Sequence, residues 1–197
     1  MTAIVGLTHQ GRVHLGGDAA AVAGYTLEIR RDPKVFTLPQ RETGKPEQPD
    51  VWAFGYTTSF RMGQILQYGF TPPTLADDTD LDRFMRTTFV DALRTAFKTG
   101  GWARTDNGVE ETGQFLVGVK GRLFTVDADY QVGEPADGYA AVGCGKALAT
   151  GSLHTTSTMG WGPEDRVRTA LDAAAYHSAG VAPPFTLVAT REVHGDR

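Results

Sequence analysis

Short runs of hydrophobic residues, interleaved with small or polar ones, recur along most of the chain. Near the start, two such runs at 3–7 and 13–18 lie on either side of the turn-like Gln10-Gly11-Arg12 and predict a pair of strands. The same pattern predicts strands at 25–29, 34–38, 51–55, 114–119, 123–126, 139–143 and 185–190. Strands of this number and length indicate a fold rich in β-sheet.

The hydrophobic period becomes helical in four places, at 56–68, at 81–97, after Lys146 and at 163–178. The second of these patterns follows acidic residues that suit a helix start, and Gly100-Gly101 ends it. The last begins with proline and two acids, a typical first helical turn. The predicted order is therefore strands, two helices, strands, two helices and a closing strand.

Three segments lack a hydrophobic period. Residues 39–50 hold three prolines and no large apolar residue, so we predict a polar loop that is longer than most hairpin connections. Residues 102–112 are predicted to be a polar connection, and 194–197 a frayed terminal tail.

Composition narrows the class of protein. A length of 197 residues fits one domain with a substantial core, and a net charge of −4 gives no sign of a nucleic-acid or membrane partner. The one cysteine, Cys144, allows no intramolecular disulfide and favours a reducing setting. We see no signal-peptide pattern at the start, and no apolar run approaches the ~18 residues that span a bilayer. We therefore expect a cytoplasmic protein.

Three residues at the start of the chain form a candidate catalytic set. Thr2 follows Met1, Asp18 follows two glycines, and Lys34 comes next, in equal steps of 16 residues (2 to 18 and 18 to 34). A threonine hydroxyl needs a base to accept its proton, and an N-terminal α-amine can be that base because it titrates near ~7.7–8. A lysine ammonium would favour the neutral amine, and an aspartate would hold the lysine in place. This chemistry requires the removal of Met1.

A second motif lies where the strand at 139–143 ends in Gly143-Cys144-Gly145 before an Ala-rich helix. Together with Thr2, Asp18 and Lys34, it resembles the N-terminal-nucleophile hydrolases of the proteasome β-subunit and HslV type. The resemblance covers residues 1–197 as a single domain, with 39–50 as a loop insertion. It implies an α+β fold, the four-layer αββα sandwich in which two face-to-face sheets are covered by helices.

The resemblance also implies roles for further residues. The N–H of Gly55 would bind the developing oxyanion, and Ala53 would lie near the base of the pocket for the residue before the scissile bond. Ala21 would belong to a segment that lines the cleft and pairs with the substrate backbone. Cys144 stands where the family usually has a serine near the nucleophile's amine, and Ser178 would support the site.

The chain departs from the family pattern at three points. A cysteine replaces the serine of the Gly-x-Gly motif, and a thiol is a weaker hydrogen-bonding group. Residues 57–59 are Thr-Thr-Ser where the family often has small residues followed by an aspartate, and Ala175 occupies the position of a supporting aspartate. These departures bear on catalytic activity.

The resemblance implies a threonine-type endopeptidase that cleaves peptides or unfolded proteins without a metal or cofactor. It further implies a homo-oligomeric ring that an ATPase unfoldase supplies with substrate. Two alternatives stay open: a catalytically silent structural subunit, and an amidase of the same class that acts on a small amide. Cys144 is a rival nucleophile, with histidines at 14, 154 and 177, but their spacing matches no motif. None of the five histidines shows a metal-ligand spacing.

Overall fold

The computed structural model describes residues 1–41 and 46–192. The strands are β1 (Ala3–His9), β2 (Arg12–Gly17), β3 (Ala20–Ala23), β4 (Thr26–Ile29), β5 (Val35–Gln40), β6 (Gln48–Tyr56), β7 (Arg104–Asp106), β8 (Val109–Glu111), β9 (Phe115–Val119), β10 (Arg122–Val126), β11 (Val132–Gly133), β12 (Tyr139–Gly143) and β13 (Thr186–Ala189). The helices are α1 (Phe60–Gln64), which continues into a π-helical turn (Ile65–Gly69), α2 (Leu81–Arg86), α3 (Thr88–Thr99), α4 (Lys146–Thr156) and α5 (Pro163–His177).

Two antiparallel sheets form the centre of the molecule. The first has the strand order β12-β1-β2-β13 and the second the order β11-β10-β9-β6-β5. The strand pairs β3–β4 and β7–β8 form separate hairpins. Because β1 lies inside the first sheet, between β2 and β12, the residue that precedes it is held close to the ends of both neighbours.

Alternating side chains of β1 divide the core into layers. Ala3 and Val5 face outwards and pack with Leu153 of α4 and Leu171 of α5. Ile4 faces inwards and packs with residues of both sheets. On the outer face of the second sheet, aromatic residues of β6 and β9 pack against α2 and α3. The predicted four-layer αββα sandwich is confirmed.

The predicted loop at 39–50 is partly wrong. Strand β5 extends to Gln40 and β6 begins at Gln48, and these two residues are paired across the hairpin. The side chain of Gln40 is buried and accepts a hydrogen bond from Trp52 Nε1 at 3.0 Å. This bond holds β5 against β6 near the end of the hairpin. Residues 42–45 of the predicted loop and the predicted tail at 194–197 lie outside the described residues.

Three helical and polar segments also differ from the sequence prediction. The single helix expected at 81–97 is divided at Thr87, whose φ of −127° and ψ of −85° are not helical. Residues 102–112 include the short β7–β8 hairpin. The helix expected from residue 56 begins only at Phe60, because Ser59 is its N-cap and accepts hydrogen bonds from two backbone N–H groups of the first turn. Within 1–41 and 46–192, no helix has both the length and the apolar character to cross a membrane.

Candidate active site

Thr2 lies at the entrance to β1 with its hydroxyl directed at Lys34. Only 5% of the residue's surface is exposed, although Met1 before it is 57% exposed. The carbonyl oxygen of Thr2 accepts a hydrogen bond from the N–H of Gly145 at 3.3 Å. Its backbone N–H donates to Cys144 Sγ at 3.2 Å. The backbone of Thr2 is therefore fixed by the segment that follows β12.

Asp18 is a buried carboxylate directly after β2. Its Oδ1 accepts from the N–H of Ala3 at 3.0 Å, and its Oδ2 accepts from the N–H groups of Ala20 at 3.0 Å and Ala182 at 3.3 Å. These three bonds join the start of β1, the start of β3 and the segment before β13. Asp18 thus connects the segments that surround Thr2 as well as carrying a charge.

Lys34 brings its ammonium group between Asp18 and Thr2. Its Nζ donates to Thr2 Oγ1 at 2.7 Å, Asp18 Oδ1 at 2.9 Å and Ala20 O at 2.6 Å. The three N–H donors of an ammonium are then all used. Both side chains of the ion pair are almost fully buried, at 1% and 0% exposure. Burial lowers the pKa of Lys34 below its ordinary value, and the neighbouring Asp18 carboxylate opposes that shift.

The Gly143-Cys144-Gly145 segment closes the other side of Thr2. Gly143 has φ +97°, and a Cβ atom there would lie 2.2 Å from the carbonyl oxygen of Thr2, so only glycine fits. The exposed thiol of Cys144 lies 3.5 Å from Thr2 O and 3.6 Å from Ser178 Oγ. Sequence reasoning placed Cys144 and Ser178 near the nucleophile, and the structure brings both together there.

The histidines proposed as partners of a cysteine nucleophile have other neighbours. His154 Nδ1 lies 3.0 Å from the hydroxyl of Tyr139, and His177 packs against the ring of Tyr176. His14 lies on β2, under α5, and forms an edge-on contact with His9. Within the described part of the chain, the Cys144 thiol has no hydrogen bond to an imidazole, so the structure gives the rival nucleophile no base.

Beside Thr2 there is an open cleft of about 270 Å³. It is lined by residues of the β3–β4 hairpin, by the segment from Tyr56 to Phe60, and by Met1, Thr2 and Lys34. Ala21 lines this cleft, as predicted for its position. Strand β3 pairs only with β4 in the described residues, so beyond Ala20, whose N–H and C=O bond to Asp18 and Lys34, its other edge is free beside the cleft.

Gly55 and Ala53 do not lie where the sequence interpretation placed them. Both are inside β6, which is paired with β5 on one edge and β9 on the other. Ala53 is fully buried in the core between the sheets. A Cβ atom on Gly55 would lie 2.5 Å from Ile4 Cγ2, so Gly55 faces the same core. The interpretation was wrong because β6 continues to Tyr56, which keeps these residues within the sheet.

The backbone at the end of β6 offers a different donor. The N–H groups of Tyr56, Thr57 and Ser59 donate to the carbonyls of Lys34, Gln114 and Thr57, at 3.0, 3.0 and 2.7 Å. Among the described residues, the N–H of Thr58 has no acceptor in the protein. Thr58 lines the cleft and has φ +70°. Sequence reasoning missed it, although the serine N-cap signal at Ser59 could have located the turn.

The four-layer sandwich with a threonine at the entrance to β1 defines a fold class, that of the proteasome-like N-terminal-nucleophile hydrolases, and the predicted resemblance is confirmed at this level. BPH from Thiobacillus denitrificans is 19% identical, with a TM-score of 0.77 over 99% of this chain and 100% of that chain. HslV from Trypanosoma brucei is 18% identical, with a TM-score of 0.62 over 95% of this chain and 98% of that chain.

A third solved structure, a Gly-1 mutant of Anbu from Hyphomicrobium sp. strain MC1, is 18% identical, with a TM-score of 0.66 over 98% of this chain and 82% of that chain. No protein-family model matches the chain, and no curated protein sequence matches it significantly. At these identities the likeness shows the fold alone.

Proposed function

We propose that this protein is a threonine-type endopeptidase whose nucleophile is Thr2 after removal of Met1. The observation that carries the proposal is the contact between Lys34 Nζ and Thr2 Oγ1 at 2.7 Å, within a buried ion pair. A buried cation next to a hydroxyl stabilises the alkoxide form of that hydroxyl, because charge interactions are stronger away from water. A purely structural ion pair would not require the lysine ammonium to contact the hydroxyl of a threonine.

The reaction follows from the groups around Thr2. Once free, the α-amine of Thr2 accepts the proton of Oγ1, and Oγ1 attacks the carbonyl carbon of the substrate. Lys34 stabilises the charge on Oγ1, and Cys144 Sγ, 3.2 Å from the nitrogen, orients the amine. The protonated amine then gives its proton to the leaving amine of the substrate. The remaining ester on Oγ1 is hydrolysed by water, and the free hydroxyl is restored.

We assign the oxyanion contact to the backbone N–H of Thr58 instead of Gly55. This group lies at the cleft beside the first turn of α1, where backbone donors suit a developing negative charge. The assignment is testable with a solved complex of the protein with epoxomicin, the compound present in one BPH structure. The ligand carbonyl oxygen is expected within ~3.2 Å of Thr58 N; a separation greater than ~3.5 Å would refute the role.

The free edge of β3 supports a peptide substrate. An extended peptide can add to an exposed strand edge through backbone hydrogen bonds, and Ala21 lies on the strand that would receive it. We further propose that the chain works as a cytoplasmic homo-oligomer, a ring that an ATPase unfoldase feeds with unfolded protein. Size-exclusion chromatography with light scattering tests the oligomer: a mass of several chains is expected, and a monomer would contradict it.

Hydrolysis of fluorogenic peptides by variants tests the proposed activity. Thr2→Ala is expected to lower kcat/KM by ~10³-fold or more, because it removes the nucleophile. Thr155→Ala is the matched control: its exposed hydroxyl bonds only to the carbonyl of Gly151 in α4, and full activity is expected. A Thr2→Ala variant with undiminished peptidase activity would refute the proposal.

A silent subunit is the second candidate, because Ala175 provides no carboxylate where the resembled enzymes carry a supporting aspartate. Ala175 is half-buried on α5 and packs against the core between the first sheet and the helices α4 and α5. Ala175→Asp distinguishes the two functions. A peptidase is expected to work without the change, whereas activity that appears only in Ala175→Asp would identify the natural chain as silent. Hydrolysis of small amides but not peptides would instead identify the amidase alternative.

A further inference from the structure

The cleft beside Thr2 carries the carboxylate of Glu28, which forms no ion pair within the described part of the chain, and this bears on the substrate. Glu28 of β4 is paired with Ala21 of β3, and side chains paired in this way lie on the same face of a hairpin. Both residues line the cleft. The carboxylate of Glu28 is exposed to solvent, and among the described residues it has no ion-pair partner within 4.0 Å.

The charged groups beside and beneath the cleft include two ion pairs. Lys34 is paired with Asp18 on the floor. Arg30, next to Glu28 on the same face of the hairpin, donates from Nε to Asp32 Oδ2 at 3.2 Å, and its guanidinium lies 4.5 Å from the centre of the Phe60 ring. Among the described side chains that line the cleft, Glu28 is therefore the carboxylate without an ion-pair partner, and it attracts a cation over a distance of roughly 8–10 Å.

The segment from Tyr56 to Phe60 adds two aromatic rings to the lining of the cleft, beside the hydroxyls of residues 57–59. Tyr56 and Phe60 pack edge to face, with ring centres 6.1 Å apart. Burial raises the pKa of Tyr56 to about 12, so this side chain is uncharged at neutral pH. The long aliphatic stems of lysine and arginine can lie along apolar surface while their charged ends reach a carboxylate.

Building on the proposed peptidase function, we propose that the cleft selects peptides with a lysine or arginine on the acyl side of the scissile bond, and that Glu28 recognises its charge. An exposed carboxylate contributes modestly to such recognition. The expected preference in kcat/KM is about threefold to fivefold over a neutral side chain and about tenfold over an acidic one. The preference should weaken as ionic strength rises, because both charges face solvent.

The experiment uses the processed full-length protein and matched sets of blocked peptides. Each set places lysine, norleucine or glutamate at one of the three positions before the scissile bond. At least one position is expected to favour lysine, Glu28→Gln should abolish that preference, and Glu28→Lys should reverse it towards glutamate. Glu192→Gln is the control, since Glu192 is exposed and borders a groove beside His9 and Pro163 instead of this cleft.

The outcomes separate this proposal from the proposed function. Equal cleavage of the basic, neutral and acidic peptides overturns the charge selection but leaves the peptidase intact. A lysine preference that survives in Glu28→Gln overturns the role of Glu28. Absence of cleavage of every peptide, with no epoxomicin adduct on Thr2, overturns both proposals. Thermal unfolding of each variant confirms that the changes in rate come from folded protein.

Discussion

Among single residues, Lys34 has the strongest proposed effect on the Thr2 hydroxyl, because its charge would stabilise the alkoxide form of that hydroxyl. A buried charge costs several kcal/mol of desolvation unless it is paired and fully hydrogen-bonded. Here Asp18 supplies the pairing, and Thr2 Oγ1 and Ala20 O supply the other two acceptors. Replacing one member of the pair leaves the other charge buried and unpaired. The stability of the fold and the proposed activity of Thr2 therefore depend on the same ion pair.

Replacing Lys34 with methionine keeps the length of the side chain but removes its charge. Unfolding by urea is expected to show a loss of about 3–5 kcal/mol, because Asp18 becomes an unpaired buried charge. The peptidase kcat is expected to fall by ~10²–10³-fold. The double variant Asp18→Asn with Lys34→Met separates the effects: it should recover part of the stability and none of the activity. Recovery of activity in the double variant would contradict the role assigned to Lys34.

Gly143→Ala tests how closely the segment after β12 must approach Thr2. The new Cβ would lie 2.2 Å from the Thr2 carbonyl oxygen, whereas a Cβ at Gly101, which also has positive φ, meets no atom within 4 Å. Gly101→Ala should therefore cost only the backbone strain of about 1 kcal/mol. Gly143→Ala should cost more, by at least ~2 kcal/mol, and should also lower peptidase activity. Equal losses of stability for the two variants would rule out the close approach.

The sequence supports some residue assignments better than others. Thr2, Asp18 and Lys34 could be predicted because their positions follow from the start of β1, the end of β2 and the start of β5. Gly55 could not be placed correctly, because the length of β6 depends on its pairing with β5 and β9, and that pairing is a property of the sheet. The free N–H of Thr58 depends in addition on the turn between β6 and α1.

The junction of β6 and α1 holds the cleft wall in place at the scale of the element. A Cβ atom on Gly63 of α1 would lie 2.1 Å from Tyr56 Cζ, so the helix packs directly on the Tyr56 ring. Ser59 caps the helix and fixes where its first turn begins. The position of the Thr58 N–H therefore depends on the contact between Gly63 and Tyr56.

The same substitution in two helices is expected to have opposite effects. Gly63→Ala should destabilise the protein by about 1–3 kcal/mol because the buried ring has to move. Gly151 of α4 meets no atom within 4 Å of its Cβ position, so Gly151→Ala should stabilise by about 0.5–1 kcal/mol through helix propensity. Thermal unfolding measures both, and peptide hydrolysis should fall only for Gly63→Ala. A stabilised Gly63→Ala would mean that the helix does not pack on Tyr56 in this way.

Helices and strands with long hydrophobic patterns were predictable, and their interruptions were not. The stripe over 81–97 is continuous in sequence, yet the chain breaks at Thr87, whose hydroxyl donates to the carbonyl of Arg83 at 2.7 Å. Thr95 makes the same type of bond to the carbonyl of Asp91 inside the unbroken α3, so this bond alone does not account for the break. The 39–50 segment was predicted as a loop because its prolines and polar residues are typical of loops, although the β5–β6 hairpin continues into it.

In the molecule as a whole, the two sheets and their covering helices form the framework that holds the site. The burial of His14 links the stability of this framework to pH. His14 lies on β2 in the layer between the first sheet and α5, and is only 8% exposed. Burial is the main cause that lowers the pKa of His14, and the nearby Arg12 and His9 add to it, while Glu164 of α5 opposes the shift. The unfolded chain therefore binds a proton at His14 more readily than the folded protein.

The free energy of unfolding should consequently fall as the pH decreases from about 6.5, the ordinary pKa of histidine, to the lower value of folded His14. Between these two pKa values the unfolded state binds more protons than the folded state, so stability rises with pH. His14→Gln should flatten this part of the curve, and His154→Gln, at a histidine on α4, serves as control. Urea unfolding at a series of pH values measures both, and an unchanged slope in His14→Gln would exclude His14 as the cause.

In the proposed mechanism, Thr2 becomes a free, activated N-terminal nucleophile. The most direct measurement is the intact mass of the purified protein before and after incubation with epoxomicin, with Thr2→Ala treated in parallel. We expect the loss of one methionine residue, followed by a single adduct per chain that is absent from Thr2→Ala. A chain that retains Met1 and forms no adduct would contradict the claim and would favour the silent structural subunit.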